Sequence, residues 1–273
     1  MVSQEQRRRQ LAREKFLRQQ QRRTDARRKS RMRNSVIASV LAVVVIGGVA
    51  LYTTGVLKNG SDDDKAAPST TPSASATSKA PDPCAKPAAG AVKKLSWKKE
   101  PAMTIDTSAA YAMKLATTCG DIDIALKTAA APHTVNSFDF LAGKGFFDHT
   151  KCHRLTTNGI YVLQCGDPTA QGNGGPGYTI PDENLKDKSL KGNVYPAGTV
   201  AMANTGQKHT GGSQFFLVYQ DSQLPPNYTP FGTISQSGLK VLKKIAAAGE
   251  NTGGGDGAPN ATVVIDKATV TKS

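Results

Sequence analysis

The sequence predicts a mostly-β domain over residues 106–273. Short apolar runs that alternate with polar residues follow one another there, separated by turns rich in glycine and proline. Two stretches have helical spacing instead. We expect one domain whose sheet curls and closes into a barrel, because closure removes the unpaired strand edges that promote aggregation.

The first strands form a predicted hairpin. Met113 and Leu115 alternate with polar residues, and apolar residues alternate again after the turn at Cys119-Gly120. Further strands are expected at 152–155, 160–165, 198–203 and 215–219, and a last strand around 264–270.

Two helices are expected. Pro132 can open the first helix, where its missing N–H costs nothing, and Gly143 and Gly145 end it. Gly249 ends the second helix. The apolar positions that share a face are Val135, Phe138 and Leu141 in the first helix and Leu239, Leu242 and Ile245 in the second.

Three segments of different composition precede the domain. Residues 1–34 carry thirteen Arg or Lys against three acids, which accounts for +10 of the net charge of +14. Residues 35–57 carry no charge, and 23 residues would span roughly 34 Å as a helix, enough for a bilayer core of about 30 Å. We expect a retained transmembrane helix; a cleaved signal peptide is the alternative, but no A-x-A site follows.

The charge distribution predicts the topology. Basic residues before the apolar segment and Asp62-Asp63-Asp64 after it place the N-terminus in the cytoplasm and the domain outside a single-pass cell membrane protein. The tail could bind RNA or anionic lipid, but Phe16 is its sole aromatic residue, so a topology signal is favoured and no nucleic acid is expected. Residues 58–105 are expected to be a disordered linker, in which Trp97 either docks on the domain or stays unanchored.

The four cysteines are Cys84, Cys119, Cys152 and Cys165. An even count outside a membrane favours disulfides, with three pairings open. If 152–156 and 160–165 are neighbouring antiparallel strands, Cys152 can face Cys165, and Cys84 would then pair with Cys119. Four free thiols are the alternative.

The candidate reactive residues suit bond rotation better than group transfer. Cys152 and His153 are adjacent on a strand and point to opposite faces, so they cannot act as nucleophile and base. Adding His149 and Cys165 to them gives no common zinc spacing, and the glycine run 172–177 lacks the Lys-Ser/Thr of a phosphate loop. We therefore expect no metal and no cofactor.

An ordered series of motifs resembles the cyclophilin family of peptidyl-prolyl cis–trans isomerases across about residues 108–272. The motifs are Phe146-Phe147-Asp148, His153-Arg154, Gln164-Cys165-Gly166-Asp167, Gly172-Asn173-Gly174-Gly175, Gly198-Thr199-Val200-Ala201-Met202-Ala203-Asn204, Gly212-Ser213-Gln214-Phe215-Phe216 and Phe231-Gly232. With the basic tail and the apolar segment, the chain is most similar to the membrane-anchored cyclophilins of actinobacteria. The resemblance implies a closed eight-stranded antiparallel barrel capped by two helices.

The resemblance also assigns roles. It implies Arg154 as the catalytic arginine, Gln164 as the residue that orients it, and Phe216 as the floor of the proline pocket. The implied substrate-binding residues are Tyr161, Val162, Gly172, Ala203, Asn204, Gln214, Leu224, Tyr228 and Phe231. His153 is expected to be structural.

The sequence departs from the family pattern at a few positions. Six residues separate Arg154 from Tyr161 where four are usual, so the assignment of Tyr161 and Val162 is less secure. Gln223 stands where many members have a tryptophan that binds cyclosporin, which predicts weak binding of that inhibitor. Tyr228 replaces a usual histidine.

The expected function is isomerisation of X-Pro bonds in exported or envelope polypeptides, which would assist their folding. A non-catalytic module that binds proline-containing peptides and a holdase chaperone at the membrane surface remain the alternatives.

Overall fold

The structure, a computed structural model, describes residues 81–272. The expected tail (1–34), transmembrane helix (35–57) and first part of the linker lie outside the described residues. Within 81–272, neither helix is long and apolar enough to cross a bilayer.

The described residues form twelve strands, two α-helices and one 3-10 helix, Lys191–Asn193. The strands are β1 Tyr111–Thr117, β2 Gly120–Leu126, β3 Thr150–Lys151, β4 Arg154–Thr156, β5 Val162–Cys165, β6 Val194–Tyr195, β7 Thr199–Met202, β8 Phe215–Val218, β9 Ser222–Gln223, β10 Pro230–Ile234, β11 Asp256–Gly257 and β12 Val264–Lys272. The helices are α1 Pro132–Gly143 and α2 Gln236–Ala247. The predicted mostly-β domain with two helices is confirmed.

Ten of the strands form one curled antiparallel sheet in the order β11-β4-β5-β8-β7-β10-β2-β1-β12-β3, and β6 pairs with β9 separately. This corrects the expected eight-stranded barrel. The strand expected at 152–155 is divided into β3, which pairs with β12, and β4, which pairs with β5. Between them, Cys152 N–H donates to Val263 O and His153 N–H to Gln164 O, so this bent segment connects the two ends of the curl.

The inner face of the sheet carries the main hydrophobic core. Alternation on β1 and β2 buries residues such as Met113, Leu115 and Ile122, because successive side chains of a strand point to opposite faces. Phe138 of α1 contributes a fully buried ring that lies 4.5 Å from Phe231 between centroids. The predicted hairpin is confirmed, and the alternating apolar residues of its two strands form the face that packs inward.

The two helices begin differently. Ser235 caps α2, its side chain accepting a hydrogen bond from Gly238 N–H. Ala131 cannot cap α1, and the carboxylate of Glu183 accepts from the N–H groups of His133 and Thr134 instead. A distant acid thus satisfies two unpaired donors and complements the positive end of the helix dipole.

Residues 84–106, hereafter the strap, lie against the domain and differ from the disordered linker expected there. Cys84 is disulfide-bonded to Cys119, and Trp97 packs 5.0 Å from Phe140 and 6.1 Å from Phe146 between ring centroids. A covalent link and a docked aromatic ring offset the entropy of ordering a segment of otherwise polar composition.

The second disulfide joins Cys152 to Cys165, the pair expected from neighbouring antiparallel strands, and Cys84–Cys119 is the pair that remains. Cys165 ends β5, and Cys152 stands two residues before β4 begins. This bridge therefore ties together the two strands that carry Arg154 and Gln164.

Candidate active site

Four neighbouring strands align the central site residues in one row. Arg154 of β4 pairs with Gln164 of β5, Gln164 pairs with Phe216 of β8, and Phe216 pairs with Ala201 of β7. Directly paired residues project from the same face of a sheet. The row lies on the outer face, because Leu155 and Leu163, their neighbours in sequence, belong to the inner core.

Arg154 is held on two sides. Its Nε and Nη2 donate to Asp256 Oδ1 at 2.7 Å and Oδ2 at 2.8 Å, and Nη1 donates to Gln164 Oε1 at 3.2 Å. The hydrogen bonds with Asp256 raise the pKa of the guanidinium, which therefore stays charged. A guanidinium has five N–H donors, so these contacts within residues 81–272 leave two for a ligand.

A chain of side-chain hydrogen bonds continues from Arg154 along the groove. Gln164 Nε2 donates to Gln214 Oε1 at 2.9 Å, and Gln214 Nε2 donates to Gly174 O at 2.9 Å. In both glutamines the side-chain oxygen accepts a hydrogen bond from the preceding group of the chain, and the nitrogen donates one to the next group. The chain fixes the orientation of Gln164, which in turn presents its oxygen to the guanidinium.

Next to this row lies a small apolar cluster that is separate from the main core. Its members are Val162, Tyr195, Ala201, Phe216, Val218 and Leu224, with Ile160, Leu190, Ala203 and Tyr228 packed against them. Phe216 and Tyr228 meet edge to face with centroids 5.4 Å apart. Tyr195 supports Tyr228, donating its hydroxyl to Tyr228 O at 2.8 Å. This cluster, hereafter the apolar pocket, offers aromatic and aliphatic side chains of the kind that suit a compact apolar ring.

Two predicted wall residues lie elsewhere. Phe231 is fully buried in the main core against Phe138, so it cannot touch a ligand in the groove. Tyr161 shares the side-chain parity of Leu163 on an extended segment, and its ring packs 5.9 Å from that of Tyr219, a core residue. Ile160, with the parity of Val162, packs in the apolar pocket instead. These are corrections to the sequence-based assignment of Tyr161 and Phe231.

The residues expected to hold a substrate backbone line a groove of about 910 Å³ beside this pocket. Gln164, Gly172, Ala203, Asn204 and Gln214 all contribute to its lining. Ala203 N–H donates to Gln214 O, and Asn204 Nδ2 donates to Asn227 O. These hydrogen bonds tie the groove residues Ala203 and Asn204 to neighbouring segments of the same polypeptide. The structure therefore brings most of the predicted site residues together.

Asp167 organises the glycine-rich side of that groove. The carboxylate is fully buried, and its Oδ2 accepts hydrogen bonds from the N–H groups of four consecutive residues, 171–174. Burial opposes ionisation of Asp167, but these hydrogen bonds and those from Thr169 outweigh it and lower the pKa of the carboxyl. A Cβ on Gly174 would lie 2.1 Å from Asp167 Oδ1, so this close approach requires glycine.

His153 stands beside the arginine without a catalytic contact. Burial lowers the pKa of its imidazole, and the positive charge of Arg154 acts in the same direction although Asp167 opposes it. Neither ring nitrogen has a hydrogen-bond partner within the described residues. His153 is consequently neutral near pH 7, in keeping with the structural role expected for it.

Sequence reasoning missed three residues of the site. Asp256 gave no signal, because it lies 102 positions from Arg154 in a polar, glycine-rich stretch of sequence and only the pairing of β11 with β4 brings the two together. Tyr195 gave no signal either, because the sequence around it has no clear alternation and the structure alone places it in the short strand β6. Ile160 had a usable signal, since alternation counted back from Val162 places it on the same face.

Comparisons with known proteins decide the family. The family model described as "Cyclophilin type peptidyl-prolyl cis-trans isomerase/CLD" matches residues 112–270. The chain belongs to the cyclophilin family. A "Probable peptidyl-prolyl cis-trans isomerase B" of Mycobacterium leprae is 53% identical to this cyclophilin over 166 residues, which cover 58% of this chain and 56% of the relative.

Other relatives agree. A protein of the same description from Mycobacterium tuberculosis is 48% identical over 165 residues, covering 58% of this chain and 53% of the relative. The "Peptidyl-prolyl cis-trans isomerase B" of Bacillus subtilis is 41% identical over 128 residues, covering 46% of this chain and 82% of the relative. The match thus spans only about half the length of the mycobacterial relatives.

The fold of this cyclophilin is similar to a solved one. The crystal structure of a cyclophilin-type peptidyl-prolyl cis-trans isomerase from Cryptosporidium parvum superposes with a TM-score of 0.50 at 25% identity. The superposition covers 60% of this chain and 99% of that one. The strap precedes the family-matched region, so its contacts with the groove are a feature of this chain outside the family model.

Proposed function

We propose that this domain catalyses cis–trans isomerisation of X-Pro peptide bonds. The observation that carries the proposal is the row formed by Arg154, Gln164 and Phe216, with a charged donor at one end and the floor of an apolar pocket at the other. Membership of the cyclophilin family and the names of the relatives support the same reaction.

The chemistry requires no atom to be transferred. Rotation about a peptide bond is opposed by amide resonance, with a barrier of about 18–20 kcal/mol. In the twisted state the prolyl nitrogen loses this conjugation and becomes a hydrogen-bond acceptor. A donor that is already in place for that nitrogen stabilises the transition state more than the planar ground state.

Arg154 meets this requirement. Asp256 and Gln164 fix the guanidinium in advance, so the donor does not have to be reoriented during the reaction. The apolar pocket would hold the proline ring against Phe216 while the acyl side of the bond turns. Ala203, Asn204 and Gln214 would hold the neighbouring backbone.

The test is isomerisation of a short X-Pro peptide by the full chain, purified in mild detergent, with Arg154→Ala beside it. We expect the variant to lose about 100-fold or more in kcat/KM, the usual scale for removing one preorganised donor. Equal rates for the two proteins would exclude the role of Arg154. If the peptide binds but neither protein accelerates its isomerisation, the domain is a proline-peptide binding module.

We further infer that the domain acts outside the cytoplasm on exported polypeptides and assists their folding. The basic tail followed by an uncharged segment of 23 residues supports this placement. Two disulfides in a small domain also support it, because such bonds persist mainly in oxidising compartments. Protease added outside wall-stripped bacterial cells should cleave the domain; protection in these stripped cells, with cleavage only after their membrane is lysed, would contradict the placement.

A further inference from the structure

The strap forms one end of the groove. Lys98, Lys99 and Glu100 line the same 910 Å³ cavity as Gln164 and Gln214. Gln164 also bonds Arg154, so the cavity is continuous with the proposed catalytic row. Substrate residues that flank a bound proline can therefore reach the strap.

The strap is fixed in this position. Trp97 N–H donates to Pro176 O at 2.8 Å, and the indole packs on Phe140 and Phe146. Gly177 has φ of +88°, and a Cβ there would lie 2.3 Å from Ser96 Oγ and 2.7 Å from Trp97 O. Such a close backbone approach holds the residue next to Lys98 against the wall of the groove.

The charge at this end of the groove is positive. Lys98 and Lys99 are exposed, and neither has an ion-pair partner among the described residues. Glu100 also lines the cavity, but it is partly buried and its Oε1 is bonded to His133 Nδ1 at 2.9 Å. The rest of the lining consists of glycines and of polar and apolar uncharged side chains. Two lysines without an ion-pair partner among the described residues thus line a largely uncharged polar cavity.

We propose that this end of the groove is a specificity site for an acidic side chain within three residues of the isomerised proline. The inference rests on the proposed isomerase function and names the substrate class for the same site. A carboxylate in the cavity would meet Lys98 and Lys99, whereas a lysine or arginine there would be repelled. The preference belongs to the strap, which the family model does not cover.

The experiment compares peptides that differ by one group. A short X-Pro peptide carries Glu or its uncharged counterpart Gln at each of the three positions before and after the proline, and kcat/KM is measured for the full chain. At one or more positions we expect the Glu peptide to exceed the Gln peptide by about threefold, the scale of a solvent-exposed ion pair. The gain should appear in KM, because it acts equally on ground and transition states, and should fade at about 0.5 M salt.

Two variants locate the effect. Lys98→Gln with Lys99→Gln should bring the Glu-to-Gln ratio to about one. Lys94→Gln is the matched control, since Lys94 is an exposed strap lysine that does not line the cavity, and it should leave the ratio unchanged. A Glu-to-Gln ratio of kcat/KM near one for the unmodified chain at every position overturns the inference. An equal fall of this ratio in the Lys94→Gln control overturns it as well.

Binding separates this inference from the proposed function. Calorimetric titration of the Arg154→Ala variant with the same Glu and Gln peptides measures affinity without turnover. Tighter binding of the Glu peptide supports the acidic site even if the unmodified chain isomerises no peptide. That lack of isomerisation would overturn the isomerase proposal alone. Equal affinities together with normal isomerisation would overturn the acidic site alone.

Discussion

The two faces of strands β4, β5 and β8 have different roles. One face packs in the main core and the other forms the site, although their residues are only one position apart in sequence. Leu155, Leu163 and Phe215 point inward and are essentially inaccessible to solvent in the main core. Arg154, Gln164 and Phe216 point outward and form the row of the site. Because alternation is strict along these strands, the core determines how accurately the outer row is aligned.

This contrast explains how an exposed site can be rigid. Each outer side chain is held by its partners in the site, and its backbone is fixed by an inner neighbour and by pairing to the next strand. The Cys152–Cys165 bridge adds a covalent tie at the end of the row. Preorganisation of Arg154 therefore begins on the opposite face of the sheet.

The strongest test of this difference between the inner and outer faces is to replace each of the adjacent residues Phe215 and Phe216 by alanine. Phe215→Ala should lower the free energy of unfolding by about 3–5 kcal/mol, because it leaves a cavity among buried rings. Phe216→Ala should lower kcat/KM by about 10- to 100-fold through the loss of about 1.5–3 kcal/mol of apolar contact with the proline ring. Urea unfolding and peptide isomerisation measure the two effects. A Phe216 variant with unchanged activity would remove this residue from the site.

The two disulfides offer a second contrast, between the strap and the catalytic strands. Chain-entropy estimates give about 4 kcal/mol for Cys84–Cys119, at a sequence separation of 35, and about 3 kcal/mol for Cys152–Cys165, at a separation of 13. Replacing each pair by serine should lower unfolding free energies in that order. Only the second replacement should also lower kcat on an uncharged peptide, because only that bridge joins the strands of Arg154 and Gln164. Equal kcat values would separate the bridge from the site.

Alternation and motif order made most of the site predictable. The row of Arg154, Gln164 and Phe216 follows from strand residues that pair in register, and the motifs placed Ala203, Asn204 and Gln214 beside it. The assignment of Phe231 to the wall of the proline pocket was wrong, because a motif position carries no information about which face of its strand a residue occupies. Tyr161 was misassigned because two extra residues separate it from Arg154, which makes the motif alignment less secure there.

Other features depended on tertiary contacts. The division into β3 and β4 reflects pairing with two different strands, and Asp256 reaches Arg154 through a short strand pair between distant segments. The strap has a linker-like composition, yet Trp97 and Cys84 anchor it to the domain. Local periodicity does not report such long-range partners.

A smaller effect is expected at Asp256, which supports the outer row from its exposed side. Asp256→Asn keeps the size of the side chain but removes the charge that pairs with Arg154. The pair is substantially exposed, so screening limits the loss, and we expect a fall of no more than about fivefold in kcat with little change in KM. Asp256→Glu should recover part of that loss, since it restores a carboxylate. Loss of stability without a change in kcat would show that Asp256 supports the fold alone.

The smallest effect concerns Asp167, a buried charge just after β5 that holds the loop on the glycine-rich side of the groove. Because hydrogen bonds from the 169–174 loop lower its folded pKa, ionised Asp167 stabilises the domain above the unfolded value of about 3.9. That contribution is lost as the pH falls from there through the lower folded pKa, since the unfolded chain takes up the proton first. The difference in unfolding free energy between the native chain and Asp167→Asn should be largest near pH 6 and narrow below about pH 4. Urea unfolding across pH 2–6 measures it, and subtraction cancels other carboxylates with lowered pKa, such as Asp187. A difference in unfolding free energy that stays constant over this range would show that the amide of asparagine supports the 169–174 loop as well as the ionised carboxylate of Asp167 does. The shape of the loop would then depend on glycines such as Gly174.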